Sequence, residues 1–143
     1  MKVEKIKQFS VFMPNKPGAL SRLMTLFAEK DVNILGIASE VSAESGLVRI
    51  ALANDSDASS ILSKAGFSSV ETQILAVELD DRPGQLRRIS DALAQGKINI
   101  TTVYGTSSPG AATSRILIAV QNTDKALELL EAMALASGTK TEV

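Results

Sequence analysis

The chain moves between two hydrophobic rhythms, alternation and helical spacing, in an order that it runs through twice. Phe9, Val11 and Met13 alternate with Gln8, Ser10 and Phe12, which predicts a strand with one buried face. Leu20, Leu23, Met24 and Phe27 then fall at i, i+3, i+4 and i+7, one stripe of a helix. Two strand-like runs follow at 33–38 and 47–53, with a turn at 43–46 between them. The second run is apolar enough to be central in a sheet. Ala58, Ile61, Leu62 and Ala65 make another helical stripe, stopped by Gly66, and residues 70–72 read as a short fourth strand that runs on without a linker.

The first half of this pattern returns 66 positions later, and the later strand and helix follow in the same order. Leu75, Val77 and Leu79 repeat the first strand, and Leu86, Ile89 and Leu93 repeat the helix. Ser90 replaces Met24, which puts that position at the edge of the stripe. Asp31 in the first copy and Gly96 in the second mark the helix ends. Strands at 99–104 and 114–120 flank a turn at 108–110, and Ala126, Leu127, Leu130 and Met133 give the last stripe. The end, 139–143, is only weakly strand-like. Each copy thus reads β-α-β-β-α-β, a ferredoxin-like unit. The predicted fold is α+β, with units at 1–72 and 73–143, antiparallel sheets and helices on one face. Phe12, Ile74 and Ala76 fall on the opposite face, which predicts that it is partly buried.

Packing alone does not demand the rest of the repeat. Asn15-Lys16-Pro17-Gly18-Ala19-Leu20 returns as Asp81-Arg82-Pro83-Gly84-Gln85-Leu86. Val32-Asn33-Ile34 returns as Ile98-Asn99-Ile100, and Arg49-Ile50 as Arg115-Ile116. Proline suits a first helical position, and Asn15 and Asp81 stand where capping residues would. Arg49 and Arg115 suit salt bridges at a strand start. A helix N-terminus offers N–H groups to a carboxylate, and Gly18 and Gly84 let a ligand approach the backbone. Asp81, or the neutral Asn15, is an acceptor for an ammonium. Asn33 and Asn99, read as lying next to the end of the first strand, both donate and accept. Turn and cap geometry without any ligand accounts for the same residues.

The Asn/Asp-x-Pro-Gly-x-Leu turn after strand one, with Asn-Ile opening strand two, resembles ACT domains. Both motifs occur twice at one spacing, so the chain resembles a tandem ACT-domain protein over nearly its whole length. The resemblance implies a regulatory module that binds an amino acid or other small molecule at interfaces between ACT units. It implies that both turns, 15–20 and 81–86, and both Asn-Ile pairs, Asn33-Ile34 and Asn99-Ile100, face the ligand. Asn15 stands where the family commonly has Asp, and the last strand of the second copy is poor.

Composition narrows the function further. The 45% apolar fraction suits a globular protein. A net charge of −1 and 3% aromatics supply neither a phosphate-binding surface nor base stacking, so no nucleic-acid partner is expected. With no cysteine and no histidine, thiolate chemistry, the usual general base and the commonest metal ligand are missing. No catalytic residues, metal or cofactor are expected. No run approaches the ~20 apolar residues that span a bilayer, and the start does not read as a signal peptide, which points to a cytoplasmic protein with no membrane association. Units this small bury little surface and are marginal alone, so a homodimer that hides sheet edges is expected. A regulatory subunit acting on an amino-acid metabolic enzyme mainly by protein contact is the alternative.

Overall fold

The structure, a computed structural model, describes every residue except 43–44, 55, 107–109 and 142–143. The turns expected at 43–46 and 108–110 lie partly outside the described residues. The elements run β1 (Lys2–Pro14), α1 (Ala19–Glu29), β2 (Gly36–Ser42), β3 (Ser45–Leu52), α2 (Ala58–Lys64), β4 (Ser68–Asp80), α3 (Gln85–Gln95), β5 (Ile100–Thr106), β6 (Thr113–Val120) and α4 (Thr123–Thr141). They form two compact units, one of Ile6–Thr72 and one of Met1–Lys5 with Gln73–Val143.

In the unit Ile6–Thr72, β3 lies between β2 and β1 and is antiparallel to both. Phe9, Val11, Val48 and Ile50 face the helices and pack with Leu23 and Phe27 of α1 and Ala58 and Leu62 of α2. The first stripe is therefore core at Leu23 and Phe27, whereas Leu20 is 44% exposed. The chain leaves α1 through a reversal at Asp31, with φ +54°, and Val32 N–H donates to Phe27 O at 2.9 Å. This is the closing bond of a left-handed helix end.

The second unit repeats this with β6 between β4 and β5. Leu75, Val77 and Leu79 pack with Ile89 and Leu93 of α3, Ile118 of β6, and Ala126 and Leu130 of α4. Here Gly96, the expected stop, is the C-cap of α3, and the left-handed residue is the next one, Lys97, φ +58°. Asn122 caps α4 by accepting from Lys125 N–H at 3.1 Å.

Among the described residues, the second copy has no closing strand at its C-terminal end. Residues 139–141 continue α4, and 142–143 lie outside the described residues. The place beside this unit's part of β4 is held instead by residues 2–5 of β1, which belong to the same unit. Val3 packs against the unit's core, and Lys5 Nζ meets Asp124 Oδ1 of α4 at 2.7 Å. The boundary expected at 72/73 keeps these first residues in the first unit, where the alternating pattern of β1 begins. On the sheet faces away from the helices, Ile74 and Ala76 are buried and Phe12 is 51% exposed.

Candidate functional site

Each Pro-Gly segment forms the turn between a unit's first strand and first helix. In the first unit Lys16 N–H donates to Pro14 O at 3.0 Å, and Ala19 N–H to Lys16 O at 3.3 Å. Gly18 has φ +89° and ψ −13°. A bond from the fourth residue to the first, proline second and a left-handed glycine third define a type II turn. In the second unit Gly84 has φ +90° and ψ −9°, Arg82 N–H donates to Asp80 O at 3.0 Å, and Asp81 N–H to Ala112 O at 3.0 Å.

The helices begin at Ala19 and Gln85, with Gly18 and Gly84 at the N-cap and no side-chain capping bond at either. Pro17 and Pro83 therefore precede the helices, and Asn15 and Asp81 do not cap them. The turn geometry decides this, because a left-handed glycine must stand between the proline and the helix. The first helical bonds are Arg22 N–H to Gly18 O at 3.0 Å and Arg88 N–H to Gly84 O at 3.1 Å. The preceding N–H groups at 20, 21, 86 and 87 have no carbonyl within their helices. Asn15, Lys16, Pro17 and Gly18 are exposed, as are Asp81, Arg82, Pro83 and Gly84. Ala19 packs against its core, Gln85 is buried at 8% exposure, and Leu20 and Leu86 are 44% and 46% exposed. Gln85 Oε1 accepts from Arg88 Nη1 at 3.1 Å, a role that the sequence pattern does not signal.

The charge around the two turns differs. Arg82 Nη2 lies 4.0 Å from Asp80 Oδ2, so the second turn carries Asp80, Arg82 and Asp81 together. In the first, Pro14 and Asn15 replace both carboxylates and Lys16 brings the charge.

The Asn-Ile pairs stand far from the turns of their own units. Pro14 pairs with Ser45 at one end of β3, and Gly36 with Ala51 at the other. Six residues of extended chain separate those levels, about 20 Å. In the second unit Asp80 pairs with Thr113 and Ile100 with Val120, about 23 Å by the same spacing. Asn33 and Asn99 thus lie at the sheet end away from the turns, not next to the end of the first strand. The reason is topological: strands one and two are both antiparallel to the strand between them, so strand two starts level with the start of strand one. β2 also begins only at Gly36, leaving Asn33 exposed in the connection from α1. Ile34 and Ile100 pack against the cores of their units. Asn99 O accepts from Gln121 N–H at 3.4 Å.

Arg49 makes the expected ion pair, Nη1 to Glu40 Oε1 at 2.6 Å, though from within β3 and not from its start. Arg115 lies opposite Glu78 in the β4–β6 register. At the turn end of the first unit, a groove of about 600 Å³ opens beside Pro14, Arg22 and Phe67. Sequence reasoning passed over Arg22, although it also recurs at the repeat spacing, as Arg88.

A family model described as ACT domain pair matches residues 4–137. A search of curated proteins by sequence returns no match. Among solved structures, protein BT0572 from Bacteroides thetaiotaomicron superposes with a TM-score of 0.83 at 22% identity, covering 92% of this chain and 90% of that one. The ligand-free regulatory subunit of aspartate kinase from Thermus thermophilus gives 0.65 at 15% identity, covering 92% and 94%. Aspartate kinase from Synechocystis gives 0.66 at 20% identity over 94% of this chain, but only 26% of that larger one.

Proposed function

The chain belongs to the ACT domain family, as an ACT domain pair, and from that premise we propose that it is a non-catalytic regulatory protein whose ligand is an amino acid. The carboxylate lies against the N–H groups that open α1 or α3, and the ammonium against Asn15 or Asp81. The observation that carries this reading is the form of the turns: apart from the adjoining chain, no atom lies within 4 Å of where a Cβ on Gly18 or Gly84 would be, so a ligand has room against the backbone there. The ~20 Å between turn and Asn-Ile pair exceeds the reach of one amino acid. A ligand touching both would therefore take the turn from one unit and the strand-two entry from another, such as a unit of a second copy of the chain. On this reading the protein is a cytoplasmic homodimer. Binding shifts its assembly, or its hold on a partner enzyme, by the difference in affinity between two states.

Calorimetry of the folded protein against the proteinogenic amino acids, paired with light scattering, is the test. Heat with at least one amino acid is expected, lost in Asp81→Ala or Asn15→Ala according to which copy binds. Silence with all of them, from a protein shown to be folded, would rule the amino-acid reading out.

A second reading is a regulatory subunit of an amino-acid metabolic enzyme, acting mainly by contact. It is favoured by the likeness to the aspartate kinase regulatory subunit, a chain of nearly the same extent, 94% of which is covered. Co-purification of an untagged enzyme at fixed stoichiometry, with no calorimetric response, supports this reading over the first.

A further inference from the structure

We infer that the groove at the turn end of the unit Ile6–Thr72 is a second binding site, for a small apolar carboxylate. Its volume of about 600 Å³ falls in the usual range of small-molecule sites. Its walls are largely apolar, and two of them, Phe12 and Val41, are 51% and 62% exposed. The only charged residues among its described lining are Arg22 and Glu40. Glu40 is neutralised by Arg49 at 2.6 Å. Arg22 has no carboxylate within ion-pair distance among the described residues.

Arg22 is held in place by other means. Its guanidinium carbon lies 4.5 Å from the centroid of the Phe67 ring, and Nη2 donates to Ala65 O at 3.1 Å. Stacking on an aromatic face fixes the plane of the fork, and one donated bond leaves most of its five N–H groups to offer. A fixed cation with unspent donors beside an apolar wall suits a planar monoanion with a hydrocarbon body. An ammonium group finds no unpaired carboxylate there, so this ligand differs from the amino acid proposed for the turns, and the inference stands without that reading.

The second unit shows which residues matter. At the repeat spacing Arg22 becomes Arg88, but Phe12 becomes Glu78, Pro14 becomes Asp80 and Leu47 becomes Thr113. Arg88 bonds Gln85 Oε1 at 3.1 Å, and Glu78 Oε1 accepts from Thr113 Oγ1 at 3.2 Å. Carboxylates replace the apolar wall, and they would repel a carboxylate ligand. The site therefore belongs to the first unit alone.

Methyl-detected NMR of the full chain tests this with three probes of one shape: 4-methylpentanoate, 4-methylpentanamide and isopentylamine. Saturable shifts of the Val41, Leu47 and Met13 methyls are expected with the carboxylate at millimolar concentration, and weak or no response to the other two. Arg22→Gln should weaken the carboxylate about tenfold or more, the loss of a charged hydrogen-bonding partner. Phe12→Glu, on an exposed position, should do the same while the spectrum stays that of a folded protein. The inference fails if folded protein shows no saturable shift, if the amide binds as well as the carboxylate, if Arg22→Gln leaves affinity unchanged, or if the shifts map to the 81–86 turn. The last outcome would place the anion at the turns proposed for the amino acid.

Discussion

At Gly18 the backbone has φ +89° and ψ −13°, and a Cβ built there would have nothing but the adjoining chain within 4 Å. The demand for glycine comes from the left-handed conformation and not from crowding. Gly18→Ala and Gly84→Ala should therefore each cost about 1–2 kcal/mol, the backbone penalty for an L-residue in that region. Gly18→Asn should cost less than Gly18→Ala, because Asn visits the same region more readily. Urea unfolding of the three variants measures this. A loss well above that range for alanine would mean a steric contact that the open surroundings do not provide. The same geometry explains what single residues in the sequence could and could not reveal. Pro17-Gly18 is legible as a turn from residue types alone, since proline and glycine each favour one place in it. That Asn15 would not cap the helix is not legible, because it depends on where the left-handed residue falls between them.

Among the elements, the helix stripes divide into positions that hold the core and positions that only border it. Leu23 and Phe27 of α1 are 0% and 1% exposed, against 44% for Leu20. Phe27→Ala should destabilise the protein by about 3–5 kcal/mol. Leu20→Ala should cost well under half of that, because much of its side chain already meets water. Thermal or urea unfolding of the pair checks the ranking, and equal losses would mean that Leu20 is covered in solution, as by a second copy. Periodicity predicted all four residues as one stripe because spacing marks a face without saying how wide the buried part is. It placed α1, α3 and the later part of β1 well, since these carry a stripe or an alternation that only one period fits. It began strand two too early, at Asn33 and not at Gly36. Ile34 is apolar and packs against the core from an irregular segment, which period two cannot distinguish from a strand. The distance between turn and Asn-Ile pair was equally illegible, as it follows from strand direction and not from any residue.

For the whole chain, the division of residues between the units does not follow the repeat. The repeat predicts a second unit that closes with its own last strand, yet residues 139–141 are helical, and the second unit draws on residues 2–5 beside β4. Val3 packs against its core, and Lys5 pairs with Asp124. A pair between a charge 30% exposed and one 82% exposed contributes little, at most about 1 kcal/mol. The larger contribution is the burial of Val3 together with the backbone pairing that β4 would otherwise lack on that side. Lys5→Ala should therefore change stability only slightly, whereas Val3→Asp should destabilise the second unit by placing a charge against apolar neighbours. A fragment of residues 73–143 should show poor amide-exchange protection in β4, and a separate peptide carrying residues 1–6 should restore part of it. Full protection of β4 in the fragment alone would mean that the second unit closes without the first residues of the chain, and that Lys2–Lys5 rests on it without supporting it. Faster exchange confined to β4 would instead show that the N-terminal residues stabilise a strand encoded some seventy positions further along, a dependence invisible to any reading that divides the chain at the repeat.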